Sequence, residues 1–319
     1  MKSTLLSLLR TKDGEFVSGE KISEQLGCSR TAVWKHIDAL RKEGYHVEAA
    51  PKKGYRLSGE PDTLSVHQLE SRLAETSFIK KVLHYPTIHS TQDTAHQLAS
   101  EQAGEGTLVL SDEQTKGKGR LGREWHSPPG TGIWMSLILR PDIEVRNAPQ
   151  LTLLTAVAVV RGIKQSVGLE PEIKWPNDIL FNGKKAAGIL TEMQAEPDRV
   201  HAIIVGLGLN VNQDFFPPEL EHIATSLRME KGKKVGRSDV LQAILEEWDW
   251  LYSLFLKEGF AAIKPLWEAH ALTMGREISA RTPKETLKGI AVGIDEAGVL
   301  LLRTKDGKLH HIYSADIEV

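Results

Sequence analysis

The chain has 319 residues, with 40 Lys+Arg against 42 Asp+Glu, so two or three domains fit and no global field advertises a polyanionic partner. A single cysteine, Cys28, excludes an internal disulfide framework and a cysteine-rich zinc site. The N-terminal MKSTLLSLLRTKDGEF has too short an apolar run for a signal sequence, and no later stretch offers about 20 uninterrupted apolar residues, so a cytoplasmic protein with no membrane partner is expected.

Residues 1–60 read as a separate unit. Leu5, Leu6, Leu8 and Leu9 mark a first short helix and Ser18 to Leu26 a second, followed by a tight turn at Gly27-Cys28-Ser29. Ser29 is placed to cap a third helix, Arg30 to Glu43, with Val33, Ile37 and Leu40 on one face and a stop at Gly44. Two strands follow, Tyr45 to Glu48 and Tyr55 to Leu57, joined by Pro51-Lys52-Lys53-Gly54. Residues 27–58 carry seven Lys/Arg against three acids, which is where phosphates would be met. The pattern is that of a winged helix-turn-helix with Ser29, Arg30, Thr31, Lys35, His36, Lys52 and Lys53 as the DNA-contacting set. The crowd of polar and cationic residues favours DNA over protein docking, the other use of such a module. Trp34 is expected to pack partly buried rather than touch a base.

A linker at Gly59 to Asp62 precedes a helix opened by a capping-box pattern at Ser65-Val66-His67-Gln68. After a strand at Val82 to Tyr85, Ser90 and Thr91 precede a helix running to about Ala103. Their hydroxyls either cap that helix or also face a ligand, and spacing does not separate the two.

Between strands at Thr107 to Ser111 and Gly132 to Leu139 lies DEQTKGKGRLGREWHSPPGTGIW, where Lys118, Arg120 and Arg123 alternate with Gly117, Gly119 and Gly122. Such a mobile, cationic loop suits a polyanion, and taken alone it also reads as a solvated, glycine-rich surface turn. The three glycines spell G-x-G-x-x-G, but Ser127-Pro128-Pro129-Gly130 forbids the helix that a dinucleotide turn requires, and no P-loop can be read through it.

Leu151 to Val167 is apolar on most sides, as a buried helix covering a sheet would be. Trp175-Pro176-Asn177-Asp178 then interrupts a strand with polar groups that need partners or a task. Gly183 to Glu192 reads as a hairpin return that carries Lys185 and Gly188 into the sheet, with Lys185 either reaching solvent or holding an anion. A strand at Val200 to Gly206 leads to a glycine site at Leu207-Gly208-Leu209-Asn210-Val211-Asn212. Residues 239–258 carry a core stripe from Val240 to Phe255 at helical spacing, and beyond His270 four short strands, Glu277–Ala280, Leu287–Ile294, Val299–Leu302 and Leu309–Tyr313, describe a small closed β unit.

Taken in order, Ser90-Thr91, Gly117-Lys118-Gly119-Arg120-Leu121-Gly122-Arg123, Lys174-Trp175-Pro176-Asn177-Asp178, Lys185-Ala186-Ala187-Gly188-Ile189-Leu190 and Gly206-Leu207-Gly208-Leu209-Asn210 resemble the biotin protein ligases. With the N-terminal unit the resemblance is to their bifunctional bacterial form, which also represses biotin genes, and it spans essentially the whole chain. It implies an α+β protein: a winged helix at 1–60, a mixed-sheet catalytic domain at 64–270 akin to class II aminoacyl-tRNA synthetase and lipoate ligase cores, and an SH3-like β-barrel at 272–319. It also implies formation of biotinyl-5′-AMP from biotin and MgATP, then transfer of biotin to a lysine of carrier domains such as the biotin carboxyl carrier protein of acetyl-CoA carboxylase and of other biotin-dependent carboxylases. The adenylate would serve as corepressor of a homodimer on operator DNA.

By carry-over the biotin-binding set is Ser90, Thr91, Gln92, Gln114, Gly117, Lys118, Gly119, Arg120, Lys185, Gly188, Leu190 and Gly206. The ATP-binding set is Lys118, Arg120, Arg123, Trp125, Asn177, Lys185 and Asn210, with Trp125 on adenine and Asn210 facing the nucleotide or its metal. Lys185 and Arg120 are the catalytic cations, Asp178 orients the acceptor lysine, and no residue is assigned as a metal ligand. Where the family usually has Gly-Arg-Gly-Arg, this chain has Gly117-Lys118-Gly119-Arg120, which keeps the charge at 118 but loses the planar fork and leaves more to Arg120. Lipoate ligation, or a repressor that senses biotin without activating it, are the alternatives that these residues argue against.

Overall fold

A computed structural model describes residues 1–10, 14–73, 76, 78–196 and 199–318, so Thr11 to Asp13 of the quoted N-terminal segment lie outside it. The chain divides into two compact units, Met1–Glu75 and Thr76–Val319.

In the first unit α1 (Lys2–Arg10), α2 (Gly19–Leu26) and α3 (Arg30–Lys42) bury Leu5, Leu6, Leu9, Ile22, Val33, Ile37 and Leu40 together. The side-chain oxygens of Ser18 and Ser29 accept the third amide of α2 and of α3, and Gly27, at φ 62°, ends α2. β1 (His46–Ala50) and β2 (Gly54–Gly59) form the antiparallel wing, with the exposed Lys52 and Lys53 at its turn. Ser29, Arg30, Thr31 and Lys35 are also exposed, and Arg30 reaches Glu20 at 3.3 Å. Trp34 departs from expectation. One residue past Val33, it sits a hundred degrees or so off the buried stripe and is 54% exposed among these cations. α4 (Val66–Arg72) closes the unit, but Ser65 gives its first turn no side-chain cap; its hydroxyl faces His67 at 3.4 Å, and Gln68 is buried against Thr63 and Glu60 instead.

The second unit is built on a seven-stranded sheet of order β3-β4-β5-β9-β8-β7-β6: β3 (Lys81–Ile88), β4 (Thr107–Gln114), β5 (Gly132–Leu139), β6 (Glu172–Lys174), β7 (Asp178–Phe181), β8 (Lys184–Glu196) and β9 (Arg199–Asn210). Only β3 and β4 run parallel. β9 runs on through Gly206 and Gly208 to Asn210, where a strand ending at Gly206 was expected, because Gly208 pairs with both Trp134 and Gly188. One face carries α5 (Thr91–Ser100), whose Ala95 and Ala99 pack on Val109, Ile138, Ala202 and Ile204. By the alternation of strand side chains, Thr191, hydrogen-bonded to Thr152 of α6 (Pro149–Val167), faces the other side, while Glu192 reaches α5. α6 is buried nearly all round because α8 (Arg237–Glu258) backs it, closely enough at Gly162 that a Cβ there would meet Ile244 at 2.7 Å. Two short helices, α7 (Leu227–Lys231) and α9 (Lys264–Glu268), flank them.

The C-terminal residues form an SH3-like, five-stranded antiparallel sheet of order β13-β12-β11-β10-β14: β10 (Glu277–Arg281), β11 (Thr286–Ile294), β12 (Leu300–Thr304), β13 (Leu309–Ile312) and β14 (Asp316–Glu318). The three-residue β14 was not expected; only Ile317 of it is buried, too little periodicity to read. The Trp175 indole donates to Gly298 O at 3.1 Å, tying this sheet to the Trp-Pro-Asn-Asp turn, whose Trp175–Pro176 peptide is cis.

Candidate active site

A cavity of about 690 Å³ opens on the α5 face of the large sheet. Its floor is cleared by glycines that register brings together: Gly188 pairs with Gly208, and Gly206 with Leu190. Side chains from elsewhere cover that floor. A Cβ at Gly208 would lie 2.3 Å from Trp125 Nε1, and one at Gly206 would lie 2.5 Å from Gln92 Oε1. No larger residue fits at either position without displacing a wall of the cavity.

At one end the N-terminus of α5 supplies small polar groups. Ser90 Oγ accepts the Gln92 amide and so caps the helix, and the same residue lines the cavity. Thr91 N donates to Gln114 Oε1 at 2.8 Å, Gln114 Nε2 donates to Ser127 Oγ at 2.9 Å, and the Ser127 hydroxyl donates to Trp125 O at 3.0 Å.

The other end is cationic. The glycine-rich loop is closed by its own hydrogen bonds, from Gly119 N to Arg123 O and from Trp125 N to Gly117 O, around a turn in which the exposed Leu121 takes φ 57°. Gly117 serves this closure rather than the cavity lining: a Cβ there would meet Trp125 O at 2.4 Å. Arg120 donates to Asn177 Oδ1 at 2.8 Å and to Ser314 Oγ at 3.1 Å. Burial pushes its guanidinium below the ordinary arginine value and Arg123 adds to this, while Asp178 and Asp316 act the other way. Arg123 reaches Asp316 at 2.8 Å, and that hydrogen bond holds the Asp316 carboxyl low. Lys118 pairs with Asp93 at the rim.

Lys185 lines the cavity with its side chain about a third exposed. Its backbone is clamped between Ile223 O and Thr225 N, and its ammonium sits 2.7 Å from Asp178 and 5.1 Å from the centre of the Trp125 ring. Asn177 Nδ2 is spent on Ile189 O at 2.9 Å, so its carbonyl is free for Arg120.

Of the expected residues, Ser90, Thr91, Gln92, Gln114, Lys118, Gly119, Arg120, Arg123, Trp125, Asn177, Asp178, Lys185, Gly188, Leu190, Gly206 and Asn210 all line the cavity. Asn210 is 4% exposed and its amide is engaged internally, donating to Thr225 O and accepting from Gln213. Ser136, Ser314, Asp316 and Arg281 line the cavity without having been anticipated. Ser136 reads only as one more position of an apolar strand, and the other three sit in a β unit whose pattern says nothing of what it faces.

Residues 85–210 match the model of the biotin/lipoate A/B protein ligase family, residues 2–56 a helix-turn-helix domain and residues 273–319 the biotin protein ligase C-terminal domain. The chain is 54% identical to the bifunctional ligase/repressor BirA of Bacillus spizizenii, over 100% of this chain and 98% of that protein. It is 30% identical to BirA of Escherichia coli, over 95% and 92%. Among solved structures, a biotin protein ligase from Aquifex aeolicus in complex with biotin and ATP is similar at 31% identity and a TM-score of 0.66, over 75% of this chain and 98% of that one.

Proposed function

This chain belongs to the family of bifunctional biotin ligase/repressors, and from that premise we propose how its residues share the work. The protein is a biotin-[acetyl-CoA-carboxylase] ligase that uses biotin and ATP, and through its helix-turn-helix it is a repressor.

The observation that carries the site assignment is the meeting of a small polar end and a cationic end in one cavity. The uncharged end, Ser90, Thr91, Gln92 and Gln114, matches the ureido ring of biotin, and the floor of Gly188, Leu190 and Gly206 matches its fused ring and chain. The cationic end matches a carboxylate approaching a triphosphate. There the biotin carboxylate oxygen bonds the α-phosphorus and the bond to pyrophosphate breaks. The acceptor lysine amine then attacks the acyl carbon, AMP leaves and a proton is lost. Arg120, Lys118, Arg123 and Lys185 offset the like charges that the first step crowds together, and act best where water is excluded. Asn177 aims Arg120 by taking one of its N–H groups. Trp125 is the planar wall for adenine, Gly119 lets the loop backbone approach the adenylate, and Asn210 supports the nucleotide end. Asp178 holds Lys185 before the substrates arrive and faces the incoming lysine afterwards. Magnesium is proposed as the ion that accompanies the triphosphate.

On the regulatory side, Arg30, Thr31, Lys35 and His36 of α3 enter the major groove, with Lys52 and Lys53 of the wing on backbone and the exposed Trp34 beside them. Adenylate binding and homodimer formation stabilise each other, so the repressor reads a two-fold operator when adenylate is plentiful. The site of action is the cytoplasm, where ATP, carrier domains and operator meet; no described helix is long and apolar enough to cross a membrane.

Mass spectrometry of a biotin carboxyl carrier domain incubated with the protein and ATP tests the transfer. Biotin is expected to add to one lysine and lipoate to none; equal labelling by both acids would overturn the substrate assignment.

A further inference from the structure

The polar end of the cavity is not a set of independent groups. Gln92 Nε2 donates to Glu192 Oε2 at 3.0 Å and to Ile204 O at 3.3 Å, and Gln92 Oε1 lies 3.0 Å from Ser136 Oγ. Ser136 Oγ lies 2.9 Å from Thr91 Oγ1, which is itself 3.1 Å from Gln114 Oε1. Gln92 is 3% exposed and Ser136 is fully buried, so the Gln92–Ser136 bond is screened from water, while Glu192 reaches Gln92 from a side chain that is 43% exposed.

An ionised carboxylate and a backbone carbonyl only accept, so Glu192 and Ile204 O together fix which way round the Gln92 amide sits. Its NH₂ faces Glu192 and its oxygen faces Ser136, and Ser136 therefore spends its one proton on Gln92. The Thr91 proton goes to Ser136 or to Gln114, both within the protein, which leaves one acceptor direction on Thr91 for a cavity ligand. Without Glu192 the amide keeps only the longer bond to Ile204 O, Gln92 is held less firmly, and Ser136 and Thr91 lose the fixed partner that sets where their oxygens point.

We infer that Glu192 is a positioning residue for the ureido ring of biotin, acting through Gln92 and Ser136 on the acceptor that Thr91 presents to the cavity. The inference rests on the ligase reading given above. Glu192 stands on β8 one alternate position beyond Leu190, and the Oε2 that accepts from Gln92 also lies 3.1 Å from His96 Nε2. Its role is therefore exerted from behind the cavity wall.

Calorimetric titration of the full chain with biotin, without ATP, tests this. Glu192→Leu is expected to weaken biotin about tenfold or more, the loss that follows when a buried polar chain is left without its partner. The KM for ATP should stay within about twofold, because Glu192 itself pairs with Gln92 and His96 and not with a residue of the cationic end. Glu192→Gln, whose carbonyl can accept the same N–H, should restore biotin binding to within about threefold of the parent. Parent-like biotin binding by Glu192→Leu, an equal loss for biotin and ATP, or failure of Glu192→Gln to restore binding would overturn the inference while leaving the ligase reading intact. A parent chain that binds no biotin would overturn the ligase reading, and this inference with it.

Discussion

Lys185 Nζ lies 2.7 Å from Asp178 Oδ1, across the short turn that joins β7 to β8. With both groups about a quarter to a third exposed, the pair is poised rather than locked, and a more anionic partner can draw the ammonium away. Lys185→Ala is expected to slow adenylate formation roughly a hundred- to a thousandfold, as loss of a charge-stabilising donor does, with biotin binding nearly unchanged. Rapid-quench kinetics set beside biotin titration read both quantities. A variant that lost biotin binding and rate in parallel would place Lys185 on the wrong substrate.

Arg120 is held at two points, Asn177 and Ser314, which fixes its fork over the cavity. Arg120→Gly removes the fork and should let biotinyl-AMP escape before transfer, so that lysines of bystander proteins are labelled. Counting biotin on added serum albumin checks this. Wild-type retention of the adenylate and wild-type selectivity would contradict the role given to the loop.

At Gly206 a methyl group has nowhere to go, because Gln92 Oε1 already occupies the space over the strand. Gly206→Ala should displace Gln92, cost about 1–3 kcal/mol of stability from overpacking and weaken biotin more than ATP. Thermal denaturation and separate titrations of the two substrates distinguish these effects. Equal weakening of both would argue that the glycine floor does not meet biotin.

In the first unit Glu60 takes hydrogen bonds from Arg10 at 2.6 Å, Gln68 at 3.1 Å and Arg72 at 3.0 Å. Burial alone would raise its carboxyl, but the Arg10 hydrogen bond, the charges of Arg10 and Arg72 and the Gln68 amide outweigh it and hold the pKa at about 2 rather than 4.5. A depressed folded-state value means stability that is present above the unfolded value and is lost as pH falls from 4.5 through 2. Its size is at most about 3 kcal/mol. Glu60→Gln should destabilise residues 1–75 at pH 7, with the difference from the parent shrinking as pH falls through that window. Denaturant melts at several pH values measure it; a difference that grew toward low pH would contradict the account.

Much of this was legible in the chain. The cap at Ser29 and the three-and-four spacing of Val33, Ile37 and Leu40 mark the helix-turn-helix, because capping and amphipathicity are local. The glycine-rich loop, the Trp-Pro-Asn-Asp turn and Lys185 stand out because polar or unpadded residues interrupt apolar runs. What remained hidden depends on long-range placement. Ser314 and Asp316 meet Arg120 and Arg123 from almost two hundred residues away, and Glu192 and Ser136 look like ordinary strand positions until Gln92 is seen between them. Trp34 was read by the usual fate of aromatics, yet one residue's rotation around α3 brings it out among the cations. Ser65 fits a capping pattern, but the burial of Gln68 against Glu60 takes its partner elsewhere.

The claim that this cavity activates a carboxylate is tested most directly by ATP–pyrophosphate exchange on the purified full-length chain, with biotin, with lipoate and with no added acid. Exchange that depends on biotin, and is absent with lipoate or without acid, is the predicted result. No exchange with any acid, from a protein that still binds biotin, would contradict it and leave a sensor in place of a ligase.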